Sequence, residues 1–254
     1  MTRSLRIGLI AEGEVELGPS IPYIKPEDGG KIIDRANEGA LHILIRRELT
    51  DAGFPDCHFV QRHPTVRERG TGEVRRGYSI LESRYLRQVV TVWKPNEIDI
   101  VILVVDADDL LEERLRKLVT ALEVIRDSHL DHDDNEITDR SLTGLAIRDI
   151  ETWLIADQET MSDVLKVTIE DITDFETLTR SKTILDDAIE QSNYLADEPK
   201  VNQRRLQVRW SIAHQISLDR LRLNCPQGYG KFATHLIAVA VVTTQSIHKT
   251  DRPS

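Results

Sequence analysis

The chain has 254 residues, 40% of them hydrophobic and 30% charged, which is enough apolar material for a packed core beneath a charged surface. Its formal net charge of −10 argues against a protein that simply coats nucleic acid, because phosphate binding requires local positive charge. The cysteines, Cys57 and Cys225, are far apart and outside any CxxC pattern, which argues against a disulfide framework or a zinc site and favours a reducing, cytoplasmic location.

The predicted elements alternate between strands and helices. In chain order they are a strand at 5–11, a loop at 18–30, a helix at 32–52, a strand at 57–61, a loop at 62–77, a helix at 79–93, a strand at 98–108, a helix at 109–128, a strand at 141–147 and a helix at 148–165. The third strand, IDIVILVVDAD, is an almost continuous apolar run, which is typical of strands buried on both faces of a parallel sheet. This alternation predicts βαβ crossovers and a mainly parallel sheet.

The pattern changes after about residue 160, where helices and loops follow without a clear strand. We therefore predict an α/β domain over residues 1–158 and a helical C-terminal lobe over 159–254 that packs on it. The longest apolar run near the C-terminus, LIAVAVVTT, is too short to span a bilayer, so no membrane association is expected.

Carboxylates follow two of the predicted strands. Glu12 and Glu16 come directly after the first strand, and Asp106 and Asp108 lie at the end of the central strand. Ligands of parallel sheets bind beyond the carboxyl ends of the strands, so these residues and the 148–151 segment are predicted to share one site. Residues two apart in an extended segment project the same way, so the two aspartates could hold one cation. Oxygen ligands without Cys or His suit Mg²⁺ or Mn²⁺, as one or two ions.

Each acidic motif also has a purely structural explanation. Asp109 and Asp149 can cap the starts of helices, Asp157 can end one, and a glutamate at a strand end is often a turn residue. Gly13 would allow a tight turn, with Glu14 pointing away from the site.

Taken together, the motifs resemble a known fold. LIAEGEVE and VVDADD, each closing a buried strand, resemble the Toprim fold of topoisomerases, primases and OLD-type nucleases. A closer resemblance is to a bacterial Toprim-like family with EGxxE, DxDD and IExW motifs, the last standing here in IRDIETWLIAD. The later segment ISLDRLRLNCPQGYGKF is also similar to that family, so the resemblance extends over most of the chain. The stretch LGPSIPYIKPEDGG departs from it, because a helix is expected directly after Glu16.

The resemblance implies roles for five residues. Glu12, Asp106 and Asp108 would bind metal, Glu16 would complete a second metal site, and Glu151 would be a further ligand or water positioner. Glu12 would also transfer a proton at the scissile phosphate. The implied catalytic residues are therefore Glu12, Asp106, Asp108 and Glu151.

The activity that the resemblance implies is Mg²⁺- or Mn²⁺-dependent cleavage of DNA, or of RNA, in phage defence or DNA processing. An ABC- or SMC-type ATPase would be the partner, and since no GxxxxGKS motif occurs here, any ATP-driven step would belong to another chain. The arginine-rich segment 61–88 is predicted to hold the phosphate backbone through Arg67, Arg69, Arg75 and Arg76. Charge runs usually form an ordinary solvated surface, and this is the simpler explanation of both this segment and the basic stretch 200–210.

Two other functions stay open. One is a Toprim-like module without catalysis that docks to an ATPase or senses a ligand. The other is a phosphatase of the haloacid dehalogenase kind, whose strand-end DxD motif is usually followed by Thr or Val two places on, whereas this chain has Leu110. Homodimer formation is also left open.

Overall fold

The computed structural model describes residues 4–19, 32–60, 80–93, 98–129 and 140–250. Within these ranges, strands Leu5–Ile10 (β1), Cys57–Phe59 (β2), Ile100–Asp106 (β3) and Ser141–Ala146 (β4) form one sheet. Every pairing is parallel and the spatial order is β2-β1-β3-β4. The predicted α/β architecture with a parallel sheet is confirmed.

The strand register determines where the carboxyl ends meet. Ile10, the last residue of β1, pairs with Leu103, so β3 continues three residues farther, to Asp106. Asp106 in turn pairs with Ala146 at the end of β4. The chain that leaves β1 therefore has room to turn over the protruding end of β3.

Helices flank the sheet and make up the C-terminal region. They are Glu14–Leu17 (α1), Ala40–Asp51 (α2), Ser83–Val92 (α3), Leu111–His129 (α4), Ile150–Ile155 (α5), Gln158–Leu165 (α6), Ser181–Gln191 (α7), Val201–Gln215 (α8), Leu218–Asn224 (α9) and Lys231–Thr250 (α10). Short 3₁₀ turns lie at Arg35–Asn37 and Phe175–Thr177, and a π-helical turn at Pro226–Gly230 leads into α10.

The prediction that the first helix spans residues 32–52 is wrong at its start, because the corresponding helix, α2, starts at Ala40. The preceding segment runs beside β2 instead: Ile33 donates its N–H to the carbonyl of Phe59 at 2.8 Å, and Ile32 forms an isolated bridge with Val60. Ile32 and Ile33, whose spacing suggested the first turn of a helix, therefore belong to an extended segment beside the sheet.

The prediction of one continuous helix over 148–165 is also wrong, because the chain breaks into α5 and α6. Asp157 begins α6 rather than ending a helix, since its carboxylate accepts the N–H of Thr160 at 3.2 Å. The same carboxylate accepts the N–H of Ser217 at 2.9 Å and pairs with Arg220 at 2.8 Å. Asp157 therefore joins α6 to the start of α9.

Alternate residues of β3 enter two separate hydrophobic clusters, as expected for a strand covered on both faces. Ile100, Ile102 and Val104 pack with α2, α5 and the C-terminal helices, whereas Val101, Leu103 and Val105 pack with α3 and α4. The C-terminal helical region thus shares its core with one face of the sheet. Within that core, Trp153 lies 5.0 Å from Tyr229 and 5.8 Å from Phe232 between ring centroids, which confirms the predicted core position of Trp153.

None of the helices in the described ranges combines the length and the apolar composition that crossing a membrane requires.

Candidate metal centre

The two acidic strand ends are in direct contact. Glu12 follows β1 after a single residue, and its Oε1 accepts a hydrogen bond from the backbone N–H of Asp106 at 3.1 Å. This contact joins residues 94 positions apart in the chain. The parallel register of β1 and β3 is what brings them to the same edge of the sheet.

Helix α1 turns Glu16 back toward Glu12. Gly13, which precedes the helix, has an ordinary extended backbone, so its glycine is not needed for the turn; a Cβ there would lie 3.0 Å from Oε2 of Glu16. Glu16 is buried, and burial together with the negative charges of Glu151 and Glu12 raises its pKa to about 7. Glu14 is exposed and points away, as predicted.

Asp106 lies at the centre of this group. Burial raises the pKa of its carboxyl well above the ordinary value, and nearby negative charges raise it further, in the order Glu16, Glu12 and Glu151. Residues from two strand ends and from α5 therefore act on one carboxylate. The predicted convergence of Glu12, Glu16, Asp106 and Glu151 is what the folded chain displays.

Glu12 occupies the more open side of the group. Burial and the negative charge of Asp108 raise the pKa of Glu12, whereas the hydrogen bond from Asp106 and the positive charge of Arg114 lower it. Arg114 is buried in the first turns of α4. A cation supplied by the helix after β3 thus lies within electrostatic reach of the carboxylate expected to transfer a proton.

Asp108 is placed differently from the prediction. β3 ends at Asp106, and Asp108 has a left-handed backbone with a φ of 46°, so the two aspartates do not lie on one extended segment. Its N–H donates to the carbonyl of Arg148 at 2.7 Å, and its side chain is exposed. Asp108 therefore lies at the outer edge of the group, where its charge acts on Glu12.

Asp149 caps α5, as predicted, by accepting the N–H of Thr152 at 2.9 Å. It also accepts the hydroxyl of Ser181 at 2.6 Å. Its negative charge raises the pKa of both Asp106 and Glu151, so this cap belongs to the electrostatic surroundings of the cluster. Among the contacts described for Asp109, none is to the start of α4: its carboxylate is 81% exposed and pairs with Arg148 at 2.6 Å.

The cations around Glu151 were not predicted from the sequence. Burial raises the pKa of Glu151, and the positive charges of Arg209 and Lys182 lower it. Arg209 belongs to the basic stretch 200–210 that was expected to be solvated, but its side chain is 4% exposed. A usable signal was present in the spacing, because Arg209 lies three and four residues before the apolar Ile212 and Ala213, and residues at this spacing share one face of a helix.

The carboxylates have the chemistry of a Mg²⁺ or Mn²⁺ site, since all are oxygen donors and their mutual repulsion is what a divalent cation relieves. Their present arrangement is more open than a finished site: within the described ranges, no group of three or more His, Cys, Asp or Glu side chains is arranged to hold a metal ion. Side-chain rotation would have to bring the oxygens together. Arg67, Arg69, Arg75 and Arg76, predicted to bind nucleic acid, lie outside the described residues.

Comparison with known proteins finds no matching family model, no matching curated protein and no matching solved structure. The Toprim resemblance therefore rests on the motifs EGEVE, DADD and IETW and on the segment ISLDRLRLNCPQGYGKF, and the chemistry of the site itself is the basis for a function.

Proposed function

We propose that the chain is a Mg²⁺- or Mn²⁺-dependent nuclease that hydrolyses phosphodiester bonds of DNA or RNA. The observation that carries the proposal is the meeting of Glu12, Glu16, Asp106 and Glu151 at the carboxyl edge of a parallel sheet, marked by the contact of Glu12 with the backbone of Asp106. The charges of Glu12 and Glu151 raise the pKa of Glu16, and the charges of all three glutamates raise the pKa of Asp106. Such an edge is where α/β sheets bind ligands. Structural ion-pair networks also perturb pKa values, but here most of the neighbouring charges are of the same sign.

Each carboxylate has a role in this proposal. Asp106, Glu16 and Glu151 would hold the metal from the buried side, and Asp108 and Glu12 from the open side. The chemistry that a bound Mg²⁺ or Mn²⁺ supplies is stabilisation of the attacking and leaving oxygens of phosphoryl transfer. The raised pKa of Glu12 lies closer to neutral pH than the ordinary value of a glutamate, so Glu12 would move the proton at the scissile phosphate. Lys182 offers positive charge to Glu151, and Arg114 offers positive charge to Glu12.

The Toprim-like motifs extend the proposal to partners. By resemblance to OLD-type nucleases, the chain would act in phage defence or DNA processing beside an ABC- or SMC-type ATPase. The arginines of the 61–88 segment would hold the phosphate backbone of the substrate.

A second candidate function is a non-catalytic module that docks to an ATPase or senses a ligand. Two observations favour it: the open arrangement of the carboxylates, and the ion pair that already occupies Glu151. Under this alternative the acidic residues would form a stabilised cluster that catalyses no reaction.

Cleavage assays separate the two candidates. The purified protein is incubated with supercoiled plasmid, single-stranded DNA and RNA in Mn²⁺, with and without EDTA. We expect metal-dependent cleavage by the wild type and a loss of about 10²-fold or more in Asp106→Asn, in which a ligand charge is removed without a change of shape. Asp109→Asn is the matched control, because Asp109 is an exposed neighbour that pairs only with Arg148 among the contacts described.

Cleavage that persists in EDTA, or equal cleavage by the wild type and Asp106→Asn, would exclude the proposed metal chemistry. Binding of Mn²⁺ without cleavage of any of the three substrates would favour the sensing module instead.

A further inference from the structure

Arg209 is a buried cation with two acidic partners. Its Nε lies 3.1 Å from Oε1 of Glu151, and its Nη2 lies 2.6 Å from Oδ1 of Asp186. Only 4% of its side chain is exposed, and Glu151 is 6% exposed. A buried charge is costly unless it is paired and hydrogen-bonded, so this arginine is held in place by what it contacts.

The surroundings orient the guanidinium group. Nη1 of Arg209 donates to the carbonyl of Arg205 at 3.1 Å, one turn earlier in α8. Asp186 is itself held by a second ion pair, to Arg205 at 3.3 Å. The planar fork of an arginine can make these contacts simultaneously, whereas a lysine presents a single point charge. The edge that meets Glu151 therefore has a defined direction.

We propose that Arg209 is a positioning residue that holds Glu151 toward Asp106 and Glu16. The proposal rests on the proposed metal centre and deepens it. Nε contacts one oxygen of the Glu151 carboxylate, while the charge of that carboxylate acts on both acidic neighbours. Groups behind a metal ligand fix its orientation, and their loss typically weakens metal binding about 10- to 100-fold.

Helix α8 makes a second contact to an element that carries a candidate metal ligand. The indole N–H of Trp210 donates to the carbonyl of Val15, in the short helix that carries Glu16, at 3.1 Å. Adjacent residues of one helix thus reach the elements that bear two of the candidate ligands. The C-terminal region would therefore assemble the site as well as cover the sheet.

The test is Mn²⁺ titration by calorimetry on the full chain, with plasmid cleavage measured in parallel. Arg209→Gln is expected to weaken Mn²⁺ binding about 10-fold or more, and Arg209→Lys to recover part of the loss. Glu151→Gln should weaken binding as well, and the double variant should bind no more weakly than Glu151→Gln alone, because Arg209 acts through Glu151. Arg205→Gln is the matched control, since Arg205 shares Asp186 but has no ion pair with Glu151 among those described.

Wild-type affinity in Arg209→Gln, or losses that multiply in the double variant, would overturn the proposal. If Arg209→Gln fails to fold, Arg209→Lys decides: it keeps the charge, so wild-type affinity there would show that the oriented fork is not needed. A wild type that binds Mn²⁺ without cleaving would refute the nuclease and leave the role of Arg209 standing. A wild type that binds no Mn²⁺ would overturn both.

Discussion

Glu16 carries the most informative pKa of the acidic group, at about 7 against an ordinary value of 4.5. Because burial and like charges raise the pKa in the folded state, the native protein binds more protons than the unfolded chain between these two values. Without metal, the contribution of Glu16 to the free energy of unfolding should therefore be fully present below about pH 4.5 and should be lost as the pH rises to about 7. The full loss is about 3 kcal/mol, from 1.36 kcal/mol for each unit of pKa.

Urea unfolding in EDTA between about pH 5 and about pH 8 measures this slope. Glu16→Gln removes this titrating group and should make the slope shallower, leaving the part due to Asp106, whose pKa is also raised. Glu14→Gln, an exposed neighbour in the same short helix, is the matched control and should keep the wild-type slope. An unchanged slope in Glu16→Gln would mean that another group is responsible.

Glu12 and Asp106 should respond to metal as one site. A divalent ion that binds the native state at about 100 times its dissociation constant should stabilise the wild type by about 2.7 kcal/mol. Glu12→Gln and Asp106→Asn should each melt no lower than the wild type in EDTA, because each relieves repulsion, and each should gain less from Mn²⁺. The double variant should lose little more of the metal effect than either single variant.

Melting curves of these four proteins with EDTA and with Mn²⁺ are the measurement. If the two carboxylates served only as separate turn and cap residues, each substitution would lower the melting temperature with or without metal. The two losses would then add.

The break between α5 and α6 depends on Asp157, which is 1% exposed. Replacing it with alanine removes the cap of α6 and also the contacts to Ser217 and Arg220 that hold α9. We expect a loss of about 2 kcal/mol or more, since a cap alone contributes about 1 kcal/mol and the part-buried N–H of Ser217 would also lose its partner. Urea unfolding measures it.

Asp163→Ala serves as the control for this helix, because Asp163 is exposed on α6 and its replacement should change stability by less than about 0.5 kcal/mol. Equal, small effects of the two substitutions would show that Asp157 does not join α6 to α9.

Dense packing on both faces of the sheet holds the whole molecule together, and two strand glycines allow it. A Cβ on Gly8 would lie 2.6 Å from the Trp93 ring, and one on Gly144 would lie 2.7 Å from the Phe232 ring. Gly144→Ala should therefore displace α10 from β4 and lower stability by about 1–3 kcal/mol, as overpacking typically does.

A second substitution, at Phe232, distinguishes overpacking against its ring from a general effect of alanine in the strand. Phe232→Leu should cost about 1–3 kcal/mol less stability in the Gly144→Ala background than in the wild type, which is roughly the cost of the clash that it relieves. Additive losses in the double variant, measured by urea unfolding, would place the effect of Gly144→Ala elsewhere.

Much of the architecture follows from local patterns. The apolar run of β3 predicts a strand buried on both faces, and alternating elements predict parallel pairing. Parallel strands end at the same edge, so the meeting of Glu12 with Asp106 could be expected without coordinates. The same argument predicts that the segment 148–151, which contains Glu151, lies at this edge of the sheet. Nuclease activity, the metal and the partners remain predictions that await the experiments above.

Other features depend on contacts between distant segments, which local periodicity does not contain. Ile32 and Ile33 suit a helix by spacing, yet β2 offers them backbone partners and α2 begins later. Asp108 leaves the extended path that its spacing predicts, because its N–H bonds to Arg148, across a gap of forty residues in the chain. The local sequence predicts that Arg209 is a surface cation. In the folded chain, α8 packs against α5 and places the guanidinium group on Glu151, 58 residues away. Burial then makes that pairing necessary, because an isolated charge in the core is too costly to keep.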